Sequence, residues 1–93
     1  MEEYSLQETE EFIEDINKHL KSGQKKNVQK VGLFLKELVT NPTTGTGQVE
    51  PLKGYGDRSV WSRRIDKKHR LVYEIFQDEK IVKLLSAYGH YDE

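Results

Sequence analysis

Residues 60–76 read VWSRRIDKKHRLVYEIF, and this stretch decides the fold that the sequence predicts. It contains two β-like runs, residues 60–65 and 70–76, which are separated by the polar turn Asp66-Lys67-Lys68. A third run, residues 80–86, follows after a second polar turn. Connections this short join antiparallel neighbours, so we expect the three runs to form a small antiparallel sheet.

The alternation of residues along this hairpin assigns its side chains to two faces. Successive side chains of a strand point to opposite faces, so Leu71, Tyr73 and Ile75 share the face that we expect to pack on the core. Arg64 and Arg70 then share the other face. Two guanidinium groups on adjacent strands suit planar, bidentate recognition of a phosphate. Exposed arginines that only solubilise the sheet and pair with nearby carboxylates are the alternative.

Two amphipathic segments precede the sheet. Apolar residues recur at helical spacing within residues 12–20 and again within residues 28–39. Ser22-Gly23 supplies a stop for the first helix, and Asn41-Pro42 ends the second. We therefore expect an α+β fold, in which an N-terminal helical hairpin packs on one face of a small twisted antiparallel sheet. A short alternating stretch at residues 4–6 is a weak candidate for an additional first strand.

The composition bounds the class of protein. The chain has 93 residues, which we expect to form a single domain spanning residues 1–93. It has no cysteine, so neither a disulfide nor a thiolate metal site can form. No apolar run approaches the length of a membrane span, and the acidic start Met1-Glu2-Glu3 does not fit a signal peptide. We therefore expect a cytoplasmic protein that does not contact a membrane.

Charge is unevenly distributed along a chain whose net charge is only -1. The first 20 residues carry seven carboxylates and one lysine, whereas residues 53–72 carry seven Lys and Arg residues against two Asp residues. Such asymmetry can mark a face that binds a polyanion. It is equally typical of two solvated faces on a small, heavily charged domain, and composition alone leaves both interpretations open.

Two further residues complete a set of groups that could cleave RNA. Glu50 lies in a loop before Pro51, and His90 lies near the chain end, where an imidazole can exchange protons near neutral pH. A carboxylate can remove the ribose 2′-OH proton, guanidinium groups can stabilise the charge that develops on phosphorus, and an imidazolium can protonate the leaving oxygen. A solvated loop carboxylate is the plainer interpretation of Glu50. The spacing does not show that these groups meet.

The motifs EPLKG at residues 50–54, VWSRRIDKKHRLVYEI at residues 60–75 and GHY at residues 89–91 resemble the YoeB/Txe family. These are toxins of type II toxin–antitoxin modules in the RelE-like superfamily of mRNA interferases. The similarity is strong over residues 43–91 and is only a general pattern over the helices. It implies a microbial-RNase-like α+β domain that acts as an endoribonuclease.

The resemblance also implies roles for individual residues. It gives Glu50 the position of the general base, and it gives Arg64 and Arg70 the positions that hold the scissile phosphate. His90 takes the position of the general acid, and Tyr91 lies beside it to orient the substrate or stack on a base.

Further RNA contacts are expected from basic residues around this set. Lys53 matches a lysine of the family motif, and we expect Arg63, Lys67 and Lys68 to add to the RNA-binding surface. His69 is either a turn or structural histidine or a phosphate contact, and His19 has no partner that the sequence identifies. No Asp, Glu and His cluster has the spacing of metal ligands, so we expect no metal and no cofactor.

The function implied is ribosome-dependent mRNA cleavage by 2′-OH transesterification, which inhibits translation. The partners implied are the ribosome, mRNA and a Phd/YefM-like antitoxin, with operator DNA reached only through that antitoxin and a homodimer as a further state. A non-catalytic module with the same fold, which binds an antitoxin and acts as a co-repressor, is the alternative.

Overall fold

The computed structural model describes residues 3–89, in which two helices pack on a five-stranded sheet. Neither helix is long and apolar enough to cross a membrane, and no other helix occurs within these residues. The α+β class predicted from the sequence is confirmed. The elements follow in the order β1 (Ser5–Glu8), α1 (Glu10–Lys21), α2 (Lys25–Leu38), β2 (Glu50–Pro51), β3 (Val60–Arg64), β4 (Arg70–Phe76) and β5 (Ile81–Ser86).

The sheet is mixed, which corrects the prediction of an antiparallel sheet. Its strand order is β1-β5-β4-β3-β2, and the pairs β3–β4 and β4–β5 are antiparallel as expected. At one edge, however, β1 runs parallel to β5, with Ser5 opposite Ile81. Parallel neighbours need a long connection, and the chain from α1 through β4 supplies it. No short-range signal reports such a pairing.

One hydroxyl group starts α1 and ties it to the sheet. Thr9 Oγ1 accepts a hydrogen bond from the amide of Phe12 at 3.2 Å and donates one to the carbonyl of Leu84 at 2.8 Å. The N-cap therefore satisfies a free amide of the first turn and fixes the helix against β5. The helix ends at the expected stop, where Gly23 takes the left-handed conformation with φ of 77°.

The core lies between the helices and one face of the sheet. Burial of each large apolar side chain contributes about 1.5–3 kcal/mol, so this layer supplies most of the stabilisation of the fold. Trp61 is partly buried against the layer. The fully or nearly fully buried members are Phe12, Val31, Phe34, Leu38, Ile65, Leu71, Tyr73, Val82, Leu84 and Ala87.

The opposite face of the sheet, which we call the outer face, is partly covered as well. Val60, Val72 and Glu74 are buried there. Arg58, from the segment before β3, reaches the carboxylate of Glu74 with two hydrogen bonds of 2.9 and 3.1 Å. The buried carboxylate is thereby paired, as burial of a charge requires.

Candidate functional site

Three neighbouring strands bring a carboxylate, a hydroxyl and two guanidinium groups onto the outer face. In the register of β2, β3 and β4, Glu50 lies opposite Ser62, and Arg64 lies opposite Arg70. Arg70 Nη1 donates to Ser62 Oγ at 3.0 Å and lies 3.4 Å from Glu50 Oε1. The prediction that the two arginines share a face is confirmed, and the structure brings Glu50 to the same face.

The charges of this face favour an anion between the strands. Like charges directly opposite one another destabilise a sheet. Of these two arginines, only Arg70 contacts a carboxylate within residues 3–89, that of the half-exposed Glu50. Within the described residues, the guanidinium of Arg64 makes only long hydrogen bonds to neutral acceptors, at 3.3 Å to the carbonyl of Asp66 and 3.4 Å to Gln48 Oε1. A phosphate that spans the two guanidinium groups would replace these weak contacts with charge-assisted ones.

The segment 41–49, which we call the β2 loop, delivers Glu50 to this face. Gly47 has φ of 94°, and a Cβ added to it would lie 2.6 Å from Cζ of Phe34. The carbonyl of Gly47 also accepts a hydrogen bond from the amide of Arg64 at 2.6 Å. A residue with a side chain cannot replace Gly47 without strain. The left-handed backbone conformation favours glycine, and a Cβ at this position would clash with Phe34.

Arg63 holds the β2 loop and is withdrawn from the expected RNA-binding residues. Its side chain is fully buried, because the alternation along β3 turns it toward the helices. The guanidinium pairs with Glu37 and donates at 2.8 Å to the carbonyls of Asn41 and Thr44. A side chain whose donors are used inside the protein has none to offer to RNA.

The partners of Arg63 show the effect of this network on their pKa values. The pKa of Glu37 lies below its ordinary value, chiefly because the hydroxyl and then the amide of Thr46 donate to it, and Arg63 lowers it further. Burial raises the pKa of the Tyr73 hydroxyl, against the opposing effect of Arg63. The Tyr73 hydroxyl donates to the carbonyl of Pro42 at 2.7 Å, so it is a second tie to the β2 loop.

The turn between β3 and β4 lines a cleft of about 460 Å³ with Ser22, Gln24 and Tyr88. Lys67 and Lys68 are exposed there, as is Lys53 beside β2, so all three are accessible to a polyanion. Burial acts to raise the pKa of Asp66, but hydrogen bonds from Asn27 and from the amides of Lys68 and His69 outweigh it, and the pKa is lowered.

His69 fits the structural alternative rather than a phosphate contact. Its ring packs 4.7 Å from that of His19 and 4.4 Å from that of Tyr88, measured between ring centroids. Its Nδ1 accepts a hydrogen bond from the amide of Gly89 at 2.7 Å. Burial lowers the pKa of His69, and the nearby Asp66 only partly opposes this effect. The ring is therefore favoured in its neutral form, which attracts no phosphate.

His90 and Tyr91, the expected general acid and its neighbour, lie outside the described residues. The residue that precedes them is described. Gly89 accepts a hydrogen bond from the backbone amide of Arg70 at 2.8 Å. The chain therefore passes directly beside Arg70 at the point where the described part ends.

Sequence reasoning missed two polar residues of this face. Ser62 contacts Arg70, and Gln48 contacts Arg64. The alternation along β3 puts Ser62 on the face of Arg64, so its position was available from the pattern. Gln48 belongs to a loop and has φ of 53°, so no periodic signal reports where its side chain lies. Among residues 3–89 no group of three or more His, Asp or Glu side chains is arranged to hold a metal ion.

Comparison with known proteins assigns the fold and its motifs to one family. The model of the YoeB-like toxin of bacterial type II toxin–antitoxin systems matches residues 8–91. The chain is 39% identical over 70 residues to a Mycobacterium bovis protein named Toxin YoeB, and these residues make up 75% of this chain and 79% of the relative. It is also similar to the solved structure of a YoeB/ParE toxin from Agrobacterium tumefaciens, with a TM-score of 0.81, 28% identity and coverage of 94% of this chain and 99% of the other.

A Staphylococcus aureus YoeB is similar in both of two solved states. As a dimer it has a TM-score of 0.79 and 30% identity over 95% of this chain and 98% of its own. In a heterotetrameric complex with the antitoxin YefM it has a TM-score of 0.74 and 31% identity over the same shares. The match to the family model covers most of the chain, and the relatives match it in sequence and in fold. The chain belongs to the family of YoeB-like toxins of bacterial type II toxin–antitoxin systems.

Proposed function

We propose that the protein is a metal-independent endoribonuclease that cleaves mRNA on the ribosome and thereby inhibits translation. The observation that carries the proposal is the outer-face cluster of Glu50, Ser62, Arg64 and Arg70, in which a half-exposed carboxylate contacts Arg70, and Arg64 lies opposite Arg70 in the sheet. A site for a phosphodiester needs this combination of a proton acceptor and fixed positive charge.

The proposed reaction is an in-line attack of the ribose 2′-oxygen on the adjacent phosphorus. Glu50 accepts the 2′-OH proton as the new O–P bond forms. The bond from phosphorus to the 5′-oxygen breaks, and His90 protonates that leaving oxygen. The products are a 2′,3′-cyclic phosphate and a free 5′-OH, and no cofactor or metal takes part. Tyr91 orients the nucleotide beside His90.

The arginines act on the charge that develops on the phosphate oxygens. Arg70 is held by Ser62 at 3.0 Å, so its guanidinium is already oriented before RNA binds. Arg64 is held less firmly and can turn toward a phosphate at small cost, since its hydrogen bonds are long. Fixed donors that need no reorganisation are the most effective way to stabilise such a transition state. The exposed Lys53, Lys67 and Lys68 extend the positive surface along the RNA.

The partners follow from the family. The Staphylococcus aureus relative assembles with YefM, and we propose that a Phd/YefM-like antitoxin binds this protein and covers its outer face. Operator DNA is then reached only through the antitoxin. A homodimer is a further state, in line with the dimer of that relative. The proposed location is the cytoplasm, where ribosomes and mRNA are found.

The test is cleavage of mRNA on purified ribosomes, with mapping of the new 5′ ends. The parent protein should produce discrete cuts, and Glu50→Gln should reduce the rate by about 10²–10⁴-fold, which is the usual contribution of a general acid or base. The substitution keeps the shape of the side chain, so thermal melting should match the parent.

Three results would reject the proposal or one of its parts. A pure parent that produces no cuts while it still binds antitoxin would favour the non-catalytic co-repressor. A folded Glu50→Gln variant that cleaves at nearly the parent rate would remove Glu50 from the mechanism. Cleavage of free RNA at the same rate as ribosome-bound mRNA would remove the ribosome from it.

A further inference from the structure

The end of β5 is held by side chains of α1 where the sheet itself stops. Ala87, which follows the last strand residue, donates its amide hydrogen to Asp15 Oδ2 at 2.9 Å. Its carbonyl accepts a hydrogen bond from His19 Nε2 at 2.7 Å. All three residues are almost completely buried. Two side chains of one helix therefore replace the neighbouring strand that Ala87 lacks.

Gly89 is held in the same manner from the other side. Its amide donates to His69 Nδ1 at 2.7 Å, and its carbonyl accepts from the amide of Arg70 at 2.8 Å. Gly89 has φ of 79°, so the chain turns there in a conformation that favours glycine. His69, at the end of the turn before β4, and Arg70, the first residue of β4, thus hold the chain beside the outer face.

The hydrogen bonds define the tautomers of both histidines. A carbonyl only accepts, so His19 Nε2 carries a proton, and its Nδ1 is left to accept from Asn27 Nδ2 at 3.4 Å. His69 Nδ1 accepts from the amide of Gly89, so it carries no proton. Asn27 donates to Asp66 at 3.0 Å, and Asp66 accepts from the amide of His69. The two histidines therefore belong to one network.

Fraying is the ordinary behaviour of a chain end. A buried polar network is costly unless every member is satisfied, and here it is directed at the backbone of two residues rather than at the core. We infer that Asp15, His19 and His69, which we call the terminal anchor, are positioning residues that fix residues 87–89 beside Arg70, where the proposed reaction takes place. The inference rests on the proposed function, and it adds to it residues that do not touch the substrate.

The test compares variants that keep or remove one hydrogen bond. His69→Asn places an amide oxygen near the position of Nδ1 and can still accept from Gly89, whereas His69→Leu keeps the bulk and loses the acceptor. His19→Gln keeps a donor near the position of Nε2, and His19→Leu does not. Each protein is assayed for kcat and KM on ribosomes, for thermal melting, and for hydrogen exchange of the Gly89 amide.

Both leucine variants should lower kcat by about 10- to 100-fold with KM nearly unchanged, because displacement of a catalytic group by about 1 Å has effects of this size. His69→Asn and His19→Gln should recover most of that loss. The Gly89 amide should exchange faster in His69→Leu than in the parent and in His69→Asn.

The outcomes separate the inference from the proposed function. A parent that cuts no mRNA overturns the proposed function and the positioning role with it. A parent that cuts, together with folded leucine variants that keep its kcat, overturns the anchor alone. Equal exchange of the Gly89 amide in His69→Leu and the parent also overturns the anchor, and so does a loss of kcat that the asparagine and glutamine variants fail to recover.

Discussion

Arg63 and Arg64 are adjacent in the chain, yet the sheet gives them opposite environments. Arg63 points into the protein, is fully buried and pairs with Glu37. Arg64 points to the outer face, opposite Arg70, and in the described part of the chain its guanidinium makes only long hydrogen bonds to neutral groups. The same side chain therefore supports the structure at one position and, in our proposal, the chemistry at the next.

Substitution of these two arginines should separate stability from activity. Arg63→Ala should destabilise the fold by about 3 kcal/mol, since it breaks a buried pair and leaves buried carbonyls without donors. Arg64→Ala should melt close to the parent but cleave mRNA much more slowly. The measurements are chemical denaturation and the ribosome cleavage assay. Equal stability of the two variants would contradict the assignment of Arg63 to the structure.

The pH dependence of stability should report the neutral state of His69. Its pKa is lowered from 6.5, first by burial and further by His19 and Lys68, while Asp66 and Asp15 act in the opposite direction. The unfolded chain therefore takes up the proton at a higher pH than the folded protein does. The resulting stabilisation is complete above about pH 6.5 and is lost as the pH falls through the lower folded value.

His69→Asn supplies the control for this dependence, because asparagine does not titrate. The parent should lose more melting temperature than the variant between about pH 7.5 and pH 5.5, a range that brackets the ordinary histidine value. Identical losses in both proteins would show that His69 is not held neutral by the fold.

At the scale of elements, the β2 loop connects the helical layer to the outer face. Arg63 and Tyr73 hold its carbonyls from the sheet, and Glu37 holds Thr46 from α2. Gly47 packs against Phe34 in the core. The position of Glu50 at the end of this loop therefore depends on the packing of helix against sheet.

Two glycines allow that packing to be tested. Gly47 and Gly54 have nearly the same φ, 94° and 91°, but a Cβ on Gly47 would clash with Phe34, while a Cβ on Gly54 would meet nothing within 4 Å. Both alanine variants should lose the roughly 1–2 kcal/mol that left-handed backbone costs. Gly47→Ala should lose about 1–3 kcal/mol more from overpacking and should also slow cleavage. Equal melting temperatures would mean that the contact with Phe34 relaxes freely.

At the scale of the whole molecule, the two ends of the chain stabilise each other. β1 pairs with β5, Thr9 donates to the carbonyl of Leu84, and Asp15 and His19 hold Ala87. Elements at the start of the sequence therefore complete the sheet that its end forms. Loss of either end should affect the other.

A truncation series tests these contacts between the first and the last elements of the chain. Removal of residues 92–93 should leave cleavage intact, and removal of residues 90–93 should abolish it while melting stays near that of the parent. Removal of residues 87–93 should lower the melting temperature clearly, because Asp15 and His19 then lose buried partners at a cost of about 1–3 kcal/mol each. Equal activity across the series would exclude the terminus from the site, and equal melting would exclude the anchor from the fold.

Much of the fold and part of the site followed from local patterns. The alternation in residues 60–76 predicted the hairpin and the shared face of Arg64 and Arg70, and the register confirmed both. The helix stop at Ser22-Gly23 was predicted by the same kind of local rule. These features depend on neighbours within a few residues, where the periodicity of a strand or the conformational freedom of glycine leaves a direct trace in the sequence.

The sequence by itself thus determined the helices, the central hairpin and the family. Only the tertiary structure decided that β1 lies parallel to β5, that Arg63 is a buried tie rather than an RNA contact, and that His19, with no visible partner in the sequence, binds Ala87. Arg63 lies 26 residues from its partner Glu37, and His19 lies 68 residues from Ala87. Contacts over such separations form when loops close and layers pack, and no local periodicity records which distant groups are brought together.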